Sequence, residues 1–339
     1  MTKSDFDRWF PSHKKVNSHL INSGSINQPT FRLLCIHGAG GSDQIFVKKD
    51  LNVGMESSNI LLDYIQENGI ELLALQLPGR AGRSQEACYK DITTLLNDFY
   101  PVFKSHFFGE INLTEFKEVI PWVIVGHSMG GLIGFELLKR IKFEQLKEFS
   151  TKFGVIDQVG FENKIVQLLR EKRIFPELFV IMSTFPPNIP ECERPWRKNE
   201  ELNGEEFKQE CSKWGINENV FKKNIWEEFE QQLRCDFRMF DSFEMNLVDK
   251  ALYCSNQSLY NCMYPLGVKS QLWSASQDNK VTKDTMNKWK ELLVLNENSF
   301  DIREIDGKHN FLHDPKTRRE WMQELSTSID KIILDLEYY

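Results

Sequence analysis

The residues with the most chemistry in their arrangement are Gly126-His127-Ser128-Met129-Gly130. The apolar run Val123-Ile-Val125 precedes them, and Leu132-Ile-Gly-Phe-Glu-Leu-Leu-Lys-Arg140, helical in pattern, follows. A serine with glycines two places to either side, set between strand and helix, reads as a strained turn that holds its hydroxyl clear of a sheet. A bare G-x-S-x-G arises by chance in about one chain in ten of this length, so the strand-turn-helix setting carries the reading. An ordinary glycine-rich turn is the competing one.

A serine hydroxyl becomes a nucleophile only beside a base. Of the seven histidines, His13 and His19 lie near the N-terminus, His37 and His127 sit within glycine motifs, and His106 belongs to a connection. His309 and His313 remain. His309, in Ile305-Asp-Gly307-Lys-His309-Asn-Phe-Leu312, follows the last strand-like run and is the expected base, while His313 leads into Asp314-Pro315 as a structural residue. Read as H-x-x-x-H, the pair lacks the glutamate and third ligand of a zinc site, so no metal is expected. A carboxylate must orient the imidazole, and Asp278 fits: it leaves the strand-like Gln271-Leu-Trp273 and lies between serine and histidine in chain order. Asp284, Asp301 and Asp306 are rivals, placed respectively in a helix-like segment, within the last strand, and close to His309 itself.

Charge that develops on a substrate oxygen needs donors, and the backbone N–H of Met129, just past the serine, is one. A second is expected from the loop after the first strand, Cys35-Ile-His-Gly-Ala-Gly-Gly-Ser42. As a phosphate cradle that loop would need a following lysine, and Asp43 stands there, so no nucleotide is expected.

The elements that hold these groups are short apolar runs at residues 31–36, 70–75, 122–125, 178–182, 271–273 and 300–305. They alternate with helix-length segments at 58–68, 132–149 and 283–295, which predicts an α/β fold with a mostly parallel, doubly wound sheet. A single domain is expected, its core in 28–185 and 251–339. Residues 186–250 carry aromatic groups at helical spacing, Phe207, Cys211 and Trp214, then Trp226, Phe229, Leu233, Phe237 and Phe240. They read as helices packed on the sheet or as a helical lid; in the second case Trp226, Phe229, Leu233 and Phe237 wall a substrate channel. Segments 104–118 and 143–173 look inserted.

At 339 residues with 41% hydrophobic and 27% charged residues, the chain is globular, and collagenous, coiled-coil and wholly disordered classes are excluded. The net charge of −7 and the lack of a basic run disfavour nucleic acid. Neither a secretory segment nor a membrane span is visible, so a cytosolic protein is expected, with the sequons at Asn112 and Asn256 idle and seven scattered cysteines reduced.

Six ordered motifs resemble the α/β-hydrolases, and more narrowly the type II thioesterases of fatty acid, polyketide and nonribosomal peptide synthesis, including medium-chain and oleoyl acyl carrier protein hydrolases. They are Arg8-Trp-Phe10, Cys35 to Ser42, Leu75-Gln-Leu-Pro-Gly-Arg80 with Arg83, Gly126 to Gly130, Leu233-Arg-Cys-Asp-Phe237 and Gly307-Lys-His-Asn-Phe311. The resemblance implies acyl transfer through Ser128, Asp278 and His309, and it assigns Ala39 to the oxyanion hole beside Met129. It further implies an acyl thioester on the phosphopantetheine arm of a carrier protein of a fatty acid or polyketide synthase, no other cofactor, and a monomer. Carrier proteins are commonly acidic, so docking needs basic residues, for which Arg80 and Arg83, or Lys14 and Lys15, are candidates. The chain departs from the family at Asn310, where an aromatic is usual, and at His37-Gly38, where the family has Pro-His. A serine esterase or lipase acting on oxygen esters, and a non-catalytic binding module of the same fold, are the competing functions.

Overall fold

Six strands form one all-parallel sheet: β1 (Phe31–Ile36), β2 (Ile70–Ala74), β3 (Trp122–His127), β4 (Leu178–Met182), β5 (Ser270–Ala275) and β6 (Phe300–Ile305), in the order β2-β1-β3-β4-β5-β6. This computed structural model describes residues 3–22, 25–26, 28–49, 59–109, 119–153, 161–253 and 257–337. The strands are where the apolar runs place them, because a strand covered on both faces needs nonpolar residues at every position. Alternation sorts them. Leu34, Ile36, Ile124 and Ile181 face one helical layer, while Leu33, Cys35, Val123 and Val180 face the other.

Among the described residues, the helices of seven residues or more are α1 (Lys3–Trp9), α2 (Ile60–Glu67), α3 (Ile92–Phe107), α4 (Met129–Phe153), α5 (Phe161–Glu171), α6 (Gly204–Lys213), α7 (Lys223–Asp241), α8 (Met245–Leu252) and α9 (Pro315–Glu337). Residues of α2 and α9 pack on one face of the sheet and residues of α3, α4, α6 and α7 on the other, giving three layers. Local chemistry starts several of them: Asn59 and Asp91 cap α2 and α3, and Asn203 with Glu206 forms a capping box on α6. Among the described residues no helix is long and apolar enough to cross a membrane.

Three expectations change. The segment 283–295 is two short helices, Lys283–Asn287 and Lys290–Leu293. Between them the buried Trp289 donates its indole N–H to the Thr184 carbonyl at 2.8 Å, a tertiary bond that overrides helix propensity. Residues 143–153 prolong α4 and 161–171 form α5, so most of the segment 143–173 is regular helix, and 104–107 is the last turn of α3. Residues 110–118 and 154–160 of these segments lie outside the described residues, as do Ser58, Asn112 and Asn256. The helical excursion between β4 and β5 contains α6, α7, α8 and a short helix at Gln257–Asn261, and α8 runs past residue 250 to Leu252.

A buried ionic cluster fastens this excursion to α4. Lys139 Nζ lies 2.6 Å from Glu136 Oε1 and 2.5 Å from Asp249 Oδ1, and Tyr264 donates to Asp249 Oδ2 at 2.7 Å. Burial pushes the Glu136 carboxyl above the usual range while Lys139 pulls it back. Lys139→Ala, which strands two carboxyls in the core, is expected to cost about 3–5 kcal/mol in urea unfolding. A loss under about 1 kcal/mol would show that the carboxyls are protonated there rather than paired.

Candidate active site

In an open parallel sheet, ligands bind beyond the carboxyl ends of the strands, where the chain leaves one strand for opposite sides. Here that point lies between β1 and β3, since β2 and β3 flank β1. Ala39 follows β1 and Ser128 follows β3. The turn at Ser128 is tight: the serine has φ 51°, a left-handed conformation rare outside glycine. Ser128 N–H donates to the Met182 carbonyl at 2.8 Å, and Thr184 Oγ1 donates to the Ser128 carbonyl at 2.9 Å, so the end of β4 grips both sides of the turn.

The flanking glycines are required by close approach. A Cβ on Gly130 would stand 2.2 Å from the Ile36 carbonyl oxygen, and one on Gly126 would stand 2.5 Å from the Gly130 oxygen. The start of α4 therefore rests directly on the end of β1. This brings the free N–H groups of the helix N-terminus, Met129 first, to the mouth of the turn.

The structure brings the three expected side chains together. His309 Nε2 lies 2.8 Å from Ser128 Oγ, and His309 Nδ1 lies 2.7 Å from Asp278 Oδ2. With its proton on Nδ1, shared with Asp278, the imidazole presents a lone pair at Nε2 to the serine hydroxyl. The other Asp278 oxygen accepts from the backbone N–H groups of Lys280 at 2.9 Å and Val281 at 3.0 Å. Burial pushes the Asp278 carboxyl up, but His309 and these N–H donors outweigh it and hold it below the usual carboxylate range. The rivals are engaged elsewhere. Asp306 accepts from Ser276 Oγ and Gln277 Nε2, Asp301 pairs with Arg303, and Asp284 lies in the short helix after Thr282.

Two supporting groups escape sequence reasoning. His127 donates from Nε2 to the His309 carbonyl at 2.9 Å, tying the backbone of the base to the end of β3. Burial lowers its pKa to about 3, with His309 adding to the effect, so it remains neutral. The second is Asp236 of α7, fully buried. Its carboxylate takes two bonds from Arg80, at 2.8 and 2.5 Å, and accepts the Gly40 N–H at 2.8 Å, one residue beyond Ala39. Arg80 also donates to the Gly41 carbonyl at 3.2 Å. The loop that carries Ala39 is thus fixed by an ion pair between the β2 exit and the helical excursion. The paired motifs around Arg80 and Asp236 were visible in the sequence, but not their contact.

Arg80 and Arg83, considered above for docking, are both buried and committed internally, Arg83 to Glu86, to the Gln76 carbonyl and over the Trp9 ring at 4.6 Å. Lys14 and Lys15 are exposed, Lys14 pairing with Asp7 at 2.5 Å. Asn310 donates to the Trp214 carbonyl at 2.9 Å, and the Trp214 ring stands edge-on to His309 at 4.7 Å.

Over Ser128 lie two small spaces. One, of about 30 Å³, is walled by Met129, Trp196, Trp214, Phe240 and Phe243; the other, of about 10 Å³, lies between Ala39, His309, Phe237 and Phe240. A cavity of about 600 Å³ opens on the far side of Ala39, lined by Phe229, Leu233, Asn310, Lys308 and Lys316 among others. Of the four expected channel residues, Phe229 and Leu233 therefore face the large cavity and Phe237 the small one. Trp226 does not; it packs between Phe207 and Phe221, at 6.0 and 5.5 Å, because its turn of α7 meets α6.

No family model matches the chain. It is similar to the gramicidin S biosynthesis protein GrsT of Aneurinibacillus migulanus, 22% identical over 306 residues that span 89% of this chain and 91% of that one. Among solved structures it resembles RedJ, a thioesterase of the prodiginine pathway of Streptomyces coelicolor, with TM-score 0.57 and 17% identity over 88% of this chain and 85% of that one. It also resembles BorB, a type II thioesterase of the borrelidin cluster, with TM-score 0.56 and 19% identity over 89% and 92%. The chain has the α/β-hydrolase fold of these thioesterases.

Two outcomes follow from the geometry. A fluorophosphonate probe is expected to label Ser128, and His309→Ala to slow labelling by about 10²–10⁴-fold, as followed by intact-protein mass spectrometry. The depressed Asp278 carboxyl contributes stability above its unfolded pKa near 3.9, lost as the pH falls through its lower folded value. In acid unfolding, Asp278→Asn should remove that part of the pH dependence and leave the protein less stable at neutral pH.

Proposed function

We propose that the chain is a type II thioesterase that hydrolyses acyl thioesters carried on the phosphopantetheine arm of a carrier protein. The observation that carries the reading is the unbroken relay Ser128 Oγ, His309, Asp278, at 2.8 and 2.7 Å, set beneath an aromatic chamber. The likeness to the thioesterases RedJ and BorB supports thioesters over other acyl groups.

In the first half-reaction Ser128 Oγ attacks the thioester carbonyl as its proton passes to His309 Nε2. Asp278 stabilises the imidazolium, and the N–H groups of Met129 and Ala39 receive the oxyanion, each such donor being worth about 3 kcal/mol. The C–S bond breaks, and the thiolate takes the proton back from His309. A thiol with pKa near 8.5 leaves far more readily than an amine or alkoxide, so attack is the demanding step. Water, deprotonated by the same imidazole, then attacks the acyl-serine, releasing the carboxylic acid and restoring Ser128. The chemistry itself needs neither metal nor organic cofactor.

The cavity beyond Ala39 is the route we assign to the arm, with Lys308 and Lys316 on its wall available to the arm's phosphate and to an acidic partner. The acyl group belongs in the aromatic chamber, where about 30 Å³ holds a water rather than a chain, so entry moves Trp196, Phe240 or Phe243 aside. The enzyme acts in this reading as a cytosolic monomer.

The test is thiol release from carrier proteins of graded acyl length, with an aryl ester alongside. Ser128→Ala should lower release by more than about 10³-fold. Ester cleavage without thioester release would replace this reading with an esterase, and silence on both with a binding module. Phe240→Ala, which enlarges the chamber, is expected to move the optimum to longer chains. Lys308→Glu with Lys316→Glu should raise KM for carrier substrates about 10-fold, leaving the aryl ester unaffected.

A further inference from the structure

Near the N-terminal end of the edge strand β2, three side chains from separate segments converge on one oxygen atom. His13 Nε2 lies 2.7 Å and His106 Nε2 3.0 Å from Glu71 Oε1, and the three ligand atoms all fall within 4.8 Å of one another. His13 opens the helical turn His13–Val16, His106 stands in the last turn of α3, and Glu71 is the second residue of β2. Nothing in the acyl-transfer chemistry uses this cluster.

Two imidazoles and one carboxylate are the donor set of zinc sites that keep a fourth position open. A tetrahedral ion with bonds of about 2.0–2.1 Å holds its ligand atoms about 3.3 Å apart. The two imidazole nitrogens, at 2.7 and 3.0 Å from Glu71 Oε1, would each move outward by a few tenths of an ångström to reach that spacing. Both imidazoles are about one-fifth exposed, which leaves a route for the ion and room for a water, whereas Glu71 is buried. The surroundings orient the ligands. Arg32 Nε donates to Glu71 Oε2 at 2.8 Å, an oxygen that also lies 3.1 Å from His106 Nε2, so Oε1 is the oxygen left to coordinate. Phe6 backs both rings, at 4.5 Å from His106 and 5.0 Å from His13.

We propose that His13, Glu71 and His106 bind one divalent transition-metal ion of the zinc class, with a water as fourth ligand. Coordination uses the lone pair of each Nε2, so binding requires both rings neutral with their protons on Nδ1. Arg32 offsets the charge of Glu71, which weakens the site relative to an all-thiolate one. The bound ion would join the N-terminal segment and α3 to the edge strand β2. Its role is therefore structural.

The test uses the full chain stripped with EDTA. Zn²⁺ is titrated calorimetrically, Co²⁺ by its visible absorption, and thermal unfolding is followed with and without each ion. One ion per chain, a raised unfolding temperature and a Co²⁺ spectrum of nitrogen and oxygen ligation are expected. His13→Gln with His106→Gln, which keeps hydrogen-bonding side chains beside Glu71, should weaken binding more than about 10-fold and abolish the thermal shift. Absence of binding, unchanged affinity in the double variant, or near-ultraviolet thiolate bands with Co²⁺ would overturn the assignment, the last placing the ion on cysteine instead.

Discussion

The structure depends on how closely the turn after β3 approaches the end of β1. There is no room between Gly130 and the Ile36 carbonyl for even one carbon atom. Because the two strands pair in parallel, with Ile36 opposite Gly126, this single contact brings the loop of Ala39, the hydroxyl of Ser128 and the first N–H groups of α4 to one point. The positive φ of Ser128 is the conformational cost of that convergence, and bonds from Ser128 to Met182 and Thr184 oppose its relaxation. The loops after β5 and β6 then need only deliver a carboxylate and an imidazole. Gln277 N–H to Gly307 carbonyl, at 2.8 Å, keeps those two loops in step.

The fold was legible because its strands are buried on both faces. Val123, Ile124 and Val125 have no exposed side to carry a polar residue, so each run stands out against its flanks. The same holds for the residues that meet in the site. Glycines that tolerate no Cβ and a carboxylate and histidine in the right chain order leave local marks on the sequence. What was illegible is what depends on partners remote in the chain. Trp289 breaks a helix because of a carbonyl at Thr184, and Trp226 turns from the cavity because α6 lies against it. Arg80 resembles any surface arginine until Asp236, 156 residues later, is found against it.

That ion pair illustrates a further division within the helical excursion. At one end Lys139 holds α8 to α4 through buried charges, and at the other Asp236 holds α7 to the loop of Ala39. Between these fixed ends, the walls over Ser128 are mostly aromatic rings packed edge-on against one another, Trp196, Trp214 and Phe240 among them. The backbone above the serine is thus held at both ends, and these packed rings are what a ligand must displace to reach it.

The anchoring of α7 through Asp236 has a thermodynamic meaning. The carboxylate that positions this helix is the acceptor that positions Gly40, so the height of the roof and the shape of the loop beneath it are a single variable. Any ligand that lifts α7 far enough to break the Asp236 contact also releases the peptide next to Ala39. In the proposed reaction, occupancy by an ill-fitting group would then cost the Ala39 donor, and discrimination between ligands would appear in turnover rather than in affinity.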